Sequence, residues 1–275
     1  MKGIGLLIVT LTGVLLLYAT KDFPPWGDPS SPASTHVSPY YLEKAMEETS
    51  VPNVVTAILA DYRGFDTMFE TTVIFGAGAA CVILLRIFAT RIKDRHYRHI
   101  PTGVTIHVLE GGRIPMDSGD FERIDTLWTP YDLIIRTVCR LLIPFIQIYA
   151  LYVIAHGHHS PGGGFQGGVI LGSSIILMAI SMNLRTALMR LSELRDALLA
   201  AFGVFIYAGI GLLCLVLGGN FLDYGALSVL LPVDPVEARS LGILFVEIGV
   251  GIAVMATMVG IYNNLASAGR MDEGL

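Results

Sequence analysis

The chain has 275 residues, 53% of them hydrophobic and only 15% charged, with a net charge of −5 and a mean hydropathy of +0.63. Soluble domains carry about 25% charged residues, so this much apolar surface exceeds what one water-facing domain hides, and lipid is the expected solvent for much of the chain. The modest, unevenly spread charge excludes nucleic acid as the expected partner. Cys81, Cys139 and Cys214 lie in apolar runs without C-x-x-C spacing. They are predicted to be small buried side chains, with no iron–sulfur, haem or zinc pattern.

A membrane-crossing helix needs about 20 mostly apolar residues, and six such runs follow one another. The first, 4–20, ends at Lys21-Asp22 and the Pro24-Pro25 pair. It also has the leucine-rich core of a signal peptide, but the cleavage site around Leu17-Tyr18-Ala19 is poorly formed, so a retained helix is expected. The second covers 68–87 and runs into basic residues. The third, Leu133–Ala155, opens after Pro130 and closes at His156-Gly157. The others cover 165–184, 198–217 and 241–262. The fold class is therefore all-α integral membrane, with six spans in two lobes of two and four. Arg86, Arg91, Lys93, Arg95, Arg98, Arg113 and Arg123 lie after the second span, and Arg185, Arg190 and Arg195 after the fourth. Cytoplasmic loops carry such an excess, which predicts that both termini are cytoplasmic.

Three regions follow: a two-span lobe over 1–95, a charged cytoplasmic linker over 96–124, and a four-span domain over 125–275. In the linker, His107–Leu109 followed by Gly111-Gly112 predicts a small hairpin. There is no internal repeat of the kind that marks complete transporters, so one member of a larger complex is expected rather than a lone carrier.

Chemistry-bearing residues fall in three places. In 53–70, a ten-residue apolar stretch too short to span precedes Asp61 and predicts an interfacial or re-entrant helix. Asp61 and Asp66 flank Arg63, and Asp66 or Thr67 is placed to cap the second span. Glu70 falls about one turn inside that span. An ionised carboxylate there is costly unless paired or hydrated, which makes it a candidate for an ion or proton relay. Between the third and fourth spans stands His156-Gly157-His158-His159-Ser160-Pro161-Gly162-Gly163-Gly164-Phe165-Gln166-Gly167-Gly168. Its glycines permit close helix approach, and free N–H groups opening the fourth span favour an anion or polar side chain. His156 and His158 titrate near neutral pH and are proton-exchange candidates. They have no carboxylate or thiol partner that would suggest a metal. Glu247 lies in the last span beside Gly249 and Gly251 and is the second intramembrane acid. No nucleophile–base set is visible, so no catalytic centre is expected.

The stretch from Tyr149 to Gly168, with HGHHSPGGGFQGG, resembles the signature of the B subunit of Mrp-type multisubunit sodium/proton antiporters, and Glu247–Gly251 resembles that family's last helix. Residues 53–70, NVVTAILADYRGFDTMFE, resemble the C-terminal segment of the Mrp A subunit, which in membrane-bound hydrogenases and related respiratory complexes is a separate small subunit. Here the two pieces are joined without the ion-pumping core of the A subunit, and 96–124 reads as the joint. Phe69 stands where that family commonly has glycine before the acid. The resemblance implies a subunit of a cation/proton antiporter-like module in a prokaryotic plasma membrane. Its implied partners are other membrane subunits, the lipid bilayer and a hydrogenase-type redox arm. It implies no bound cofactor, with Na+ and H+ as the transported ions. A purely structural scaffold of a stand-alone Mrp antiporter is the alternative.

Overall fold

The last and longest helix organises the rest. In the computed structural model, which describes residues 2–87, 95–108, 119–123, 133–182, 184–267 and 269, six helices are long and apolar enough to cross a membrane. They are α1 (Lys2–Ala19), α4 (Gly64–Ile87), α5 (Leu133–Ala155), α6 (Gly164–Ser181), α8 (Glu193–Val216) and α9 (Pro235–Ala266). The shorter α2 (Ser38–Thr49), α3 (Val54–Ala57) and α7 (Leu184–Arg190) lie between them. All six predicted spans are present, but α4, α8 and α9 begin at Gly64, Glu193 and Pro235 rather than at 68, 198 and 241. For α9 the reason is local: Asp234 accepts a hydrogen bond from the Glu237 N–H at 2.7 Å and Pro235 opens the first turn, the usual start signals. The predicted link after the fourth span is itself helical, as α7.

Packing divides the chain into Met1–Lys44 and Ala45–Leu275. In the first unit α1 turns its aliphatic side chains outward, with Leu6 70% and Leu17 71% exposed, as suits a helix surrounded by lipid or by a neighbouring protein.

In the second unit α8, α6 and α4 all pack on α9, and α5 packs on α6. Lipid gives no hydrophobic drive for helix association, so close backbone approach at small residues has to hold such a bundle. On one side, a Cβ on Gly203 of α8 would lie 2.5 Å from the Gly249 carbonyl oxygen. On another side, a Cβ on Gly168 of α6 would lie 2.6 Å from that of Gly251. The sequence division at 95 follows motifs. In packing, α4 joins the later helices, with its Gly78 against Thr257 of α9.

The linker is not plain coil. Strands β1 (Arg95–His99), β2 (Thr105–Val108) and β3 (Phe121–Arg123) form an antiparallel sheet in the order β2-β1-β3, with Tyr97 opposite Ile106 and Arg123. A hairpin not expected from sequence joins β1 to β2. Its turn lies at 100–104, where Gly103 takes φ +69° and the His99 N–H donates to the Val104 carbonyl at 2.8 Å. Pro101-Thr102-Gly103 carries the turn signal. Gly111 and Gly112 lie outside the described residues, as do Arg91, Lys93 and Arg113.

Candidate functional site

The segment 53–67 is a broken helix. After α3 the chain widens into a π-helical turn, Ile58–Tyr62, and restarts as α4 at Gly64. A break of this kind strands backbone carbonyls, which must find donors. Thr67 Oγ1 donates to the Leu59 carbonyl at 2.7 Å, the Tyr224 hydroxyl to Ala60 at 3.0 Å, and the Tyr207 hydroxyl to Gly64 at 2.9 Å. The expectation that Asp66 or Thr67 caps the second span is corrected. α4 starts before both, and Thr67 bonds backward to the break instead. Both tyrosines are fully buried. Tyr224→Phe leaves the Ala60 carbonyl without its donor. A loss of about 1–3 kcal/mol is expected, read as a lower melting temperature of the detergent-solubilised protein.

The two predicted acids of this segment separate. Asp66 pairs with Arg63, both more than half exposed, a contact of little weight in solvent. Asp61 turns inward, its Oδ2 lying 3.5 Å from Arg239 Nη1, while Arg239 Nη2 donates to Asp223 Oδ1 at 3.3 Å. Burial pushes the Asp61 carboxyl up to about 6 against the lowering effect of Arg239, and Asp223 and Glu48 add to the rise.

The histidine–glycine loop meets this segment directly. The Asn53 side-chain amide donates to the Gly157 and Ser160 carbonyls at 2.8 and 2.9 Å, and its N–H to the His158 carbonyl at 2.9 Å. Thr56 Oγ1 also donates to Gly157, at 2.8 Å. The two sequence motifs thus form one structure, although about a hundred residues separate them in sequence.

Beyond this dock the glycines close around Glu247, which is 9% exposed. A Cβ on Gly157 would come 2.8 Å from Glu247 Oε2, and one on Gly163 would come 2.7 Å from Oε1. Gly163 has φ +123°, a conformation that side-chain-bearing residues avoid. A Cβ on Gly164 would strike the Glu247 backbone carbonyl. The Gly164 N–H, at the start of α6, hydrogen-bonds the carboxylate, so the anion favoured at this helix N-terminus is Glu247 itself. Glu247 Oε2 has no hydrogen-bond partner. Irregular backbone at such a place is tolerated because protein surrounds it.

Two buried tyrosine hydroxyls lie within electrostatic reach of Asp61, and one of them, that of Tyr207, also of Glu247. The Tyr207 hydroxyl is within hydrogen-bonding reach of the Tyr224 hydroxyl. The other predicted residues sit around these groups. His158 is buried, with Nε2 2.9 Å from the Ser240 carbonyl, and burial holds it below the usual histidine range. It pins the loop to α9. His156 is exposed and stacks on Tyr152 with ring centres 4.2 Å apart. Glu70 and Phe69 lie on an exposed part of α4, away from these groups, and Phe69 is 59% exposed. Pro161, Phe165 and Gln166 are exposed, Gly162 is half-buried, and Gly163, Gly164, Gly167 and Gly168 are buried. Asn53, Tyr207, Tyr224, Asp223 and Arg239 were not singled out from sequence. A lone tyrosine or asparagine carries no periodic signal, and nothing near Arg239 in sequence points to Asp61.

Two family models match the chain. A domain related to the MnhB subunit of Na+/H+ antiporters covers residues 134–260, and the E subunit of MBH covers 29–95. Staphylococcus aureus (strain Newman) has a protein named antiporter subunit mnhB2 that is 31% identical over 135 residues, 95% of its length and 47% of this chain. Rhizobium meliloti (strain 1021) has one named as the A/B subunit of a K+/H+ antiporter, 28% identical over 86% of this chain. The chain spans only 22% of that relative's length. Among solved structures, a chain of the membrane-bound sulfane sulfur reductase, an archaeal respiratory membrane complex, superposes with a TM-score of 0.59 at 25% identity. The match covers 96% of this chain and 97% of that one, so both pieces stand in one polypeptide there as well. A chain of the Mrp complex from Dietzia sp. gives 0.54 at 25% identity, over 93% of this chain and 25% of that one. This chain is a multi-pass membrane protein and belongs to the MnhB family of antiporter subunits, preceded by a segment like the E subunit of MBH.

Proposed function

We propose that the chain is a membrane subunit of a cation/proton antiporter-like module, and that Glu247, Tyr207, Tyr224 and Asp61 form part of its ion path. The observation that supports this reading is a carboxylate buried inside a spanning helix and wrapped by glycine backbone, with the buried Tyr207 hydroxyl within electrostatic reach of both it and the inward-turned Asp61. Intramembrane acids in such settings mark ion and proton routes. The module lies in a prokaryotic plasma membrane with both termini of this chain cytoplasmic. Na+ and H+ are the exchanged ions, and the chain binds no cofactor. Other membrane subunits cover part of its apolar flanks and lipid the rest, with a redox arm as a further partner. Glu70, on the open part of α4, meets one of those subunits.

The reading is tested in inside-out vesicles with and without this chain. Deletion is expected to abolish cation-dependent proton movement by the complex, and the chain alone in liposomes is expected to give none. Exchange that survives deletion contradicts the reading, and so does flux through the chain alone. A scaffold role predicts the same loss on deletion but silence for conservative changes at Asp61 and Glu247.

The pH profile gives a further expected result. With its carboxyl raised to about 6, Asp61 is neutral below that pH and charged above it, so exchange that needs the anion falls away on the acid side. Arg239→Gln removes the charge that favours the anion and moves this limb upward by about one pH unit. Asp61→Asn, neutral at every pH, abolishes exchange across the whole range. Rates measured from pH 5 to 8.5 in the same vesicles decide it.

A further inference from the structure

A groove of about 600 Å³ opens on the outer side of α8, in the size range of small-molecule sites. Arg195, Leu198, Phe202 and Phe205 on its lining recur every three or four residues and so form one stripe of the helix. Leu198, Phe202 and Phe205 are exposed. Leu191 and Leu199 are half-buried and line its inner side. Both pack on the cluster of Ala200, Met255, Ala256 and Val259, so the contact between α8 and α9 fixes that side and the groove is preformed.

The charged side chain on this lining is Arg195. It is exposed, and among the described residues it has no acid partner. The acids next to it in sequence are engaged elsewhere. Glu193 pairs with Arg86, and Asp196 turns inward onto Gly260 of α9, where a Cβ would come 2.5 Å from its Oδ2. Arg190, at the end of α7, is likewise exposed and without an acid among the described residues. Arg63, Arg86 and Arg239, by contrast, each hold a carboxylate. From Arg195 to Phe205 the helix rises about 15 Å, half of a hydrocarbon core of about 30 Å. A guanidinium at headgroup level therefore stands at the mouth of an apolar channel one leaflet deep.

We propose that this groove binds one anionic phospholipid, with its phosphate on Arg195, Arg190 adding positive charge, and one acyl chain lying along α8 as far as Phe205. Guanidinium and phosphate form strong, often bidentate pairs. A zwitterionic headgroup would bring its own cation toward the two arginines. A neighbouring helix fits less well. Helices in lipid associate by close backbone approach, and Leu198, Phe202 and Phe205 project from this stripe and would hold a straight helix off. A flexible chain runs between them. The site needs only that α8 crosses the bilayer and does not depend on the ion path.

The test is photolabelling of the assembled complex in phosphatidylcholine vesicles. These contain a trace of phosphatidylglycerol with a diazirine midway along one acyl chain, and labelled peptides are mapped by mass spectrometry. Label is expected on Phe202 or Phe205. Excess plain phosphatidylglycerol should remove it, whereas the surrounding phosphatidylcholine should not. Arg195→Gln is expected to lower this label by about fivefold or more, and Arg190→Gln by less, with label elsewhere on the complex unchanged. Ala201→Phe, which fills the groove from its lining, should remove it. Label on 198–205 that Arg195→Gln leaves unchanged, or that a phosphatidylcholine probe places equally well, means ordinary surrounding lipid and overturns the site. Absence of label from 198–205 overturns it too and assigns the groove to a neighbouring subunit. The comparison of the two probes uses the unaltered complex, so it decides even where a variant does not assemble.

Discussion

Gly164→Ala is expected to stop the protein from assembling. The added methyl would lie on the Glu247 backbone carbonyl and 3.0 Å from its Cα. Neither can move without shifting α9, which also carries α4 and α8. Overpacking in a filled core costs about 1–3 kcal/mol when side chains can yield. Here backbone meets backbone, so the cost lies at or above the top of that range, a large part of a marginal stability. Gly164 has no positive φ, so the effect is steric. Gly163→Ala adds a backbone penalty through its φ of +123°. Gly76→Ala on α4 is the control, since nothing lies within 4 Å of its added Cβ. Native gels of solubilised membranes should show intact complex for Gly76→Ala and little or none for Gly164→Ala. Equal amounts would mean that α6 does not seat on α9 as described.

The spans and the two motifs were legible in sequence because hydropathy and glycine spacing are local signals. Leu133–Ala155 matches α5 to the residue. The burial of Glu247 was legible too, as an acid beside Gly249 and Gly251. What sequence did not reveal was which groups meet. The glycines of 162–164 promised close helix approach in general, but only the fold shows that the close approach is to Glu247. Asn53 opened the first motif without a role, and its amide proves to join that motif to the loop. In sequence Asp61 and Asp66 flank Arg63 alike. The π-helical turn rotates Asp61 inward to Arg239, and a one-residue change of helical phase is invisible to periodicity. Asp196 was missed for a simpler reason. Apolar residues open the fifth span at 198, whereas α8 starts at Glu193 and carries Asp196, 5% exposed, in its first turn. The β1–β2 hairpin was not expected, although Pro101-Thr102-Gly103 carries a turn signal for it.

Glu247→Gln should leave the fold intact and abolish exchange. Glutamine has nearly the same shape, its side-chain carbonyl still accepts from the Gly164 N–H, and no counter-charge is stranded, because no cation pairs with Glu247 among the described residues. What it loses is the ability to take and release a proton or to balance a passing cation. Positioned proton transfer is worth about 10²–10⁴ in rate, so a fall of at least about a hundredfold is expected. Glu247→Asp keeps the charge but withdraws it from the glycine cradle and should retain a fraction of the rate. The most direct test is therefore cation-dependent proton movement in vesicles containing the assembled Glu247→Gln complex, with assembly verified on the same membranes. Normal complex with exchange lost is the predicted result. Normal complex with exchange unchanged would show that this buried carboxylate only packs.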